Sequence, residues 1–298
     1  MRYLRWMIVV LFLVGSVVAF GQQSKEQILK IGFTCIQADM VTDACDIIGY
    51  TNSDVRKTLG NNPFSIIEFY NALIKDENAG TRKTTSYCLK EIIGVANGSG
   101  KLPIISGNDY SKDSTTIITF KDNLIKAFNR DNLSCYKTNA DKDAKINDFN
   151  RKSADWVDKI TGLCNDYRNY LLAETKSDWD LYLNNNKNKL FVELAKKNKI
   201  EKEEEEAYRQ IQELRSYADI SICESFLSSY PDSKYKKQVD EKKSQLEALI
   251  ETITDKGDNE YNWFGRKLTK TGTYDTIIGE KKYVLNLTIE KKNASNRN

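Results

Sequence analysis

The chain has 298 residues, of which 40% are hydrophobic, with 45 Lys plus Arg against 42 Asp plus Glu and no histidine. This apolar content excludes a disordered tail, and the length admits one to three domains. The missing histidine removes the commonest general base, the commonest metal ligand and the neutral-pH proton switch, and the near balance of charge leaves no basic excess for nucleic acid.

Residues 1–21 are expected to be a secretory signal that is cut before Gln22. Arg2 and Arg5 precede an apolar run from Trp6 to Phe20, with Ala19 and Gly21 as the small residues before the cut. The run has 15 residues, shorter than the roughly 20 that span a bilayer as a helix. Cleavage leaves 43 basic and 42 acidic residues and no expected membrane span. Six cysteines follow, Cys35, Cys45, Cys88, Cys135, Cys164 and Cys223. With no Cys-x-x-Cys pair there is no zinc ribbon or thioredoxin-like site to read, and at least one disulfide is expected among the first four, its pairing open.

The reading in chain order is an N-terminal, mostly helical domain over 22–138, a second helical region over 139–254, and a small β element with a disordered tail over 255–298. Ile28, Ile31 and Cys35 recur at helical spacing, and Asn62-Pro63 opens a second helix carrying Ile66, Tyr70 and Leu73. A third helix covers 87–95. The stretch 97–113 reads as a loop, 115–120 as a short strand or extended segment, and 121–130 as a helix followed by a connector. The clearest helix is expected over 145–173, with Phe149, Trp156, Ile160, Cys164, Tyr167 and Leu171 on its buried stripe. Ser177 with Asp180 reads as the cap of the next helix, which the Asn-rich stretch 184–188 interrupts. Leu190, Phe191 and Leu194 begin a charged helix through the Glu203 to Glu206 run.

Within 204–250, Ala218, Phe226-Leu227, Tyr230-Pro231, Ser233 and Tyr235 follow one another in a pattern that resembles a tetratricopeptide-type helical repeat of exported bacterial proteins. Ala218 would admit a neighbouring helix, Ile222, Phe226 and Tyr230 would form the buried stripe, Pro231 would stop the helix, and Asp232 or Ser233 would cap the next. The resemblance covers about one and a half units and implies paired helical hairpins with a binding face. Tyr208, Arg209, Gln212, Arg215 and Tyr235 are the residues expected on that face.

At the C-terminus the period changes to two, with 255–258 read as a turn. Residues 273–278 and 283–289 alternate as a hairpin should around a Gly279-Glu280 turn, and a third strand is expected near 261–264. The run Gly272-Thr273-Tyr274-Asp275-Thr276 with Val284-Leu285-Asn286-Leu287-Thr288 is similar to a short β motif of surface proteins from Gram-negative gut and oral bacteria. The resemblance implies location at a Gram-negative envelope, and it brings no catalytic residues.

Residues 94–102 lack a phosphate loop's first glycine and its Ser or Thr, since Val95 and Leu102 stand there. Asn139, Asp141 and Asp143 have calcium-loop spacing, but Ala144 and Asn150 replace the required Gly and acid. Without histidine, enzymatic chemistry falls to paired carboxylates, for which Asp155, Asp166, Asp178 and Asp180 are the candidates. The expected fold class is therefore mainly α, with helical bundle or tetratricopeptide-like hairpins and a small β-hairpin appendage. The expected function is a periplasmic or cell-surface scaffold that binds an envelope protein partner, with no catalytic site, metal or cofactor. The alternatives are a carboxylate-dependent glycan or peptidoglycan hydrolase and a structural envelope component.

Overall fold

A computed structural model describes residues 23–59, 62–98, 102–185 and 190–290. The expected export signal and C-terminal tail lie outside them, as do parts of the 94–102 and 184–188 stretches. The chain is mainly α with a small C-terminal β element, and it forms two compact units that divide between Lys196 and Lys197. The expected boundary at 138/139 falls inside the first unit, and that at 254/255 falls inside a strand.

The first unit is built around α1, Lys25–Ile48. Ser24 accepts from the Gln27 N–H while the Gln27 side chain accepts from the Ser24 N–H, a reciprocal cap that satisfies two donors otherwise orphaned. Gly49, at φ 73°, ends the helix. Phe33, Ile36, Met40, Val41, Ala44 and Cys45 are all buried, so α1 is covered on several sides rather than along one stripe. Around it lie α2 (Ser53–Lys57), α3 (Ile66–Ile74), α4 (Thr85–Asn97) and α5 (Tyr110–Ala127). They are followed by α6 (Asn139–Leu172) and α7 (Lys176–Asn185). Asn62 and Pro63 open the turn before α3 as expected.

Residues 115–120 are not a strand or extended loop. They belong to α5, whose Ile117, Phe120, Leu124 and Ala127 are buried at helical spacing. Packing of that stripe outweighs the β preference of its Thr and Ile residues. Helix α6 starts at Asn139, earlier than expected, and Phe149, Trp156, Ile160 and Tyr167 of the expected stripe are buried. Leu163 and Tyr170 are buried, whereas Cys164 is half-buried and Leu171 exposed. Phe149, Trp156, Leu163 and Tyr170 are spaced by sevens, with Ile160 and Tyr167 between, which is the pattern of a helix–helix seam. Trp156 donates to Asp43 at 2.9 Å. A Cβ on Gly32 would come within 2.9 Å of Leu163, so α1 and α6 approach closely there. The cap of α7 is Thr175 with Asp178, two residues before the expected pair. Cys88 and Cys135 form a disulfide, within the expected four, and Cys35, Cys45, Cys164 and Cys223 are free.

The second unit holds most of α8 (Val192–Glu213), then α9 (Ile220–Ser229) and α10 (Lys236–Glu247). These three helices share a core of Ile211, Cys223, Phe226, Val239 and Leu246. Ala218 lies exposed in a 3-10 turn rather than between helices, and Ile222 is exposed, so the stripe runs through Cys223 and Phe226. Ser233 accepts from the Tyr235 N–H at 2.9 Å within the turn before α10, while the cap position itself falls on Tyr235, which makes no side-chain cap bond, so neither Asp232 nor Ser233 is the cap.

Strands β1 (Ile250–Asp258), β4 (Gly272–Ile278) and β5 (Lys281–Glu290) make one sheet in the order β1-β5-β4. Residues 255–258 are thus strand, not turn. The β4–β5 hairpin is antiparallel as expected. The third strand is β1, paired parallel to β5, while β2 (Tyr261–Trp263) pairs with β3 (Arg266–Leu268). The period-2 pattern places Ile253, Leu285 and Tyr274 side by side on one face. Trp263 and Leu268 of the small hairpin pack with that face.

Candidate binding face on the second unit

The expected binding residues lie on α8, just beyond it, and at the start of α10. Tyr208 and Tyr235 are half-buried, their rings stacked with centroids 4.1 Å apart and planes 7° from parallel. Both also pack against the three-helix core, so their rings join α8 to α10 instead of projecting into solvent. Arg209, Gln212 and Arg215 are exposed. Arg209 and Gln212, three apart, share one face of α8, and Arg215 follows the last residue of the helix.

Ser233 and two acids of the Glu203 to Glu206 run also join the region, as does Lys234, which the sequence pattern did not single out. Ser233 donates its hydroxyl to Glu204, tying the turn before α10 to α8. The Lys234 ammonium sits 4.9 Å from the Tyr235 ring centroid, a cation–π arrangement. Its pKa is raised, first by interaction with the Tyr235 hydroxyl and then by the nearby Glu205 and Glu204 carboxylates. Glu205 accepts from Lys202 at 2.9 Å, and Lys202 is the first cause of its lowered pKa. Lys234 stands between Ser233 and Tyr235 in sequence, but Glu204, which accepts from Ser233, is 29 residues from it, a distance that no local motif bridges. A shallow open depression runs beside this region, lined by Ser233, Lys236, Lys237, Asp240, Glu241 and Ser244. The region therefore carries exposed charges of both signs beside two aromatic rings that are fixed by packing between the helices.

The candidate catalytic carboxylates are occupied locally. Asp155 lies on the exposed side of α6 beside Lys152, at 3.8 Å. Asp166 is buried and accepts from the Tyr182 hydroxyl at 2.7 Å and the Leu190 N–H at 3.0 Å. Asp178 accepts from the Thr175 N–H, and this is the first cause of its lowered pKa. Asp180 is half-buried on α7. Asn139, Asp141 and Asp143 lie in the first two turns of α6 rather than in a loop, and Asp143 takes a bidentate bond from Arg130 at 2.6 and 2.7 Å. Among the described residues there is no cluster of three metal-ligating side chains, and no helix is long and apolar enough to cross a membrane.

No family model, curated protein or solved structure matches the chain.

Proposed function

We propose that this is an exported protein of a Gram-negative envelope, periplasmic or at the cell surface, that binds a protein partner through the second unit. The observation that carries the reading is the Tyr208–Tyr235 stack. It holds two helices together in a core-packed position and leaves Arg209 and Gln212 exposed on one helix face. An exposed Arg on a helix face that packed aromatics hold rigid is a feature that protein interfaces favour. The repeat-like spacing of 204–250 supports a helical binding surface, and the Cys88–Cys135 disulfide supports an oxidising compartment.

The test is affinity capture with residues 22–298 as bait in envelope extracts, comparing the natural chain with Arg209→Glu and Gln212→Arg. The reading expects one protein recovered reproducibly by the natural chain and lost by the variants. Recovery of shortened glycan alone would instead point to the Asp155, Asp166, Asp178 and Asp180 set. Fractionation of source cells, with N-terminal sequencing for a start at Gln22, tests export separately.

A further inference from the structure

We propose that strand β4 is a self-association edge, pairing antiparallel with β4 of a second copy of this chain about a two-fold axis at Thr276. The inference is independent of the helical binding face.

Strand β4 is one outer strand of the three-stranded sheet. The two-residue Gly279-Glu280 turn closes the hairpin at the Ile278–Lys281 pair. Gly272, Tyr274, Thr276 and Ile278 therefore exchange their backbone hydrogen bonds with β5. Thr273, Asp275 and Ile277 aim their N–H and C=O groups at the open edge, and among the described residues these groups have no partner. An open row of this kind is a template for another strand unless proline, lysine, a bulge or a covering element blunts it. Strand β4 contains no proline and no lysine, and it ends in Ile277 and Ile278, which are 56% and 47% exposed. The other outer strand, β1, carries Glu251, Asp255, Lys256 and Asp258, so charge discourages pairing there.

The sequence of β4 also selects a second copy as the occupant. Full overlap of two antiparallel β4 strands would set the Asp275 carboxylates directly opposite one another, which is destabilising. A slide to the register centred on Thr276 removes that clash. It sets Asp275 against Ile277 of the second copy, while Lys282 at 3.0 Å balances the carboxylate from within its own chain. On the other face the same register brings exposed Ile278 beside Tyr274 of the second copy, extending the Leu285–Tyr274 row. An aromatic beside a β-branched residue is a favourable cross-strand pair. A β4–β4 pair uses both β4 edges and closes, so it yields dimers and not filaments. Two such short strands bury less than the roughly 1,000 Å² of a stable interface, so the association is weak and appears at high protein concentration.

The test is sedimentation of residues 22–298 over a wide concentration range, with cysteine cross-linking of the same chain. The expected result is a mass that rises with concentration toward two chains. Ile277→Lys should hold it at one chain, and Thr252→Lys on β1 should not. Thr276→Cys should oxidise to a linked dimer, because the two copies of that residue face each other about 4.5 Å apart at Cα, within disulfide reach. Thr273→Cys should stay single. One-chain mass at every concentration without Thr276→Cys cross-linking overturns the proposal. So does a dimer dissolved by Thr252→Lys instead of Ile277→Lys, or growth into open-ended assemblies.

Discussion

Gly107 lies so close to the first turn of α1 that a Cβ on it would stand 2.2 Å from the Glu26 carbonyl oxygen and 2.9 Å from the Lys30 Cβ. Its φ of 81° is also left-handed. The Gly107 N–H donates to the Asp113 carboxylate at 2.6 Å, and the Ser106 N–H donates to the same group at 3.1 Å. Asp113 is buried on α5. One glycine therefore lets the loop before α5 reach α1 and supply hydrogen bonds to a buried acid.

Gly107→Ala must displace that loop and strip bonds from Asp113. The expected cost is about 3 kcal/mol, combining backbone strain with an under-bonded buried carboxylate. Gly80→Ala, where nothing lies within 4 Å and φ is not left-handed, should change stability by no more than a few tenths of a kcal/mol. Urea titrations followed by tryptophan fluorescence would measure both. Equal midpoints for the two variants would show that the close approach at Gly107 contributes nothing to stability.

The Cys88–Cys135 bridge joins α4 to the turn before α6 across a sequence separation of 47. A crosslink closing a loop of that size is worth at most about 4 kcal/mol through the unfolded chain, and about 2–4 kcal/mol is the usual loss. The double variant Cys88→Ala, Cys135→Ala should lose that amount, and reductant should destabilise the natural chain but not the variant. Cys35 and Cys45 should remain unlabelled by iodoacetamide in the folded protein, because burial is the first cause that pushes both thiols up to about 12. Labelling of either at neutral pH before unfolding would contradict their placement.

Asp76 accepts from Asn52 Nδ2 at 2.8 Å, Ser86 Oγ at 2.9 Å, the Asn78 N–H at 3.0 Å and Tyr50 Oη at 3.2 Å. Burial, the largest single influence, raises its pKa, but these four donors together outweigh it and leave the value lowered. A carboxyl depressed in the folded state stabilises fully above its unfolded value of about 3.9 and loses that contribution as pH falls through the lower folded value. Asp76→Asn should be less stable at neutral pH and show a shallower loss of stability below about pH 4 than the natural chain. Urea midpoints at a series of acidic pH values would check this, and parallel slopes for both chains would deny Asp76 its role.

The parts of this fold that were legible in the sequence are those where local chemistry and packing agree. Asn62-Pro63 opens a helical turn by its own cap, and Thr273 to Ile278 alternates as a strand that folds back on β5. The second half of α5 was legible as a helix, but its first half was hidden because its Thr and Ile residues favour strands, and only the burial of Ile117 and Phe120 against neighbours decides otherwise. On α6 the expected stripe holds at Phe149, Trp156, Ile160 and Tyr167 and slips by one residue only at Cys164 and Leu171, because steps of four drift off the buried seam of a long helix. The Cys88–Cys135 pairing and the parallel β1–β5 pairing are long-range choices that spacing does not encode. At the candidate face, Tyr208 and Tyr235 were visible as residues, but their stacking on each other was not.

That stack separates a structural role from a binding role. Tyr208→Ala removes a half-buried ring that packs on Tyr235 and on the helical core, at an expected cost of about 2 kcal/mol. Tyr208→Phe keeps the ring and should remain within about 0.5 kcal/mol of the natural chain. A double-mutant cycle with Tyr235→Ala should return a coupling of about 1 kcal/mol, the size expected for an aromatic pair beyond its burial. Arg209→Glu loses an exposed pairing with Glu205 at 3.9 Å and should lower stability only slightly while removing capture of the envelope partner. If Tyr208→Phe abolished capture with stability intact, the hydroxyl itself would be a contact, and the tyrosines would belong to the recognition surface rather than to its support.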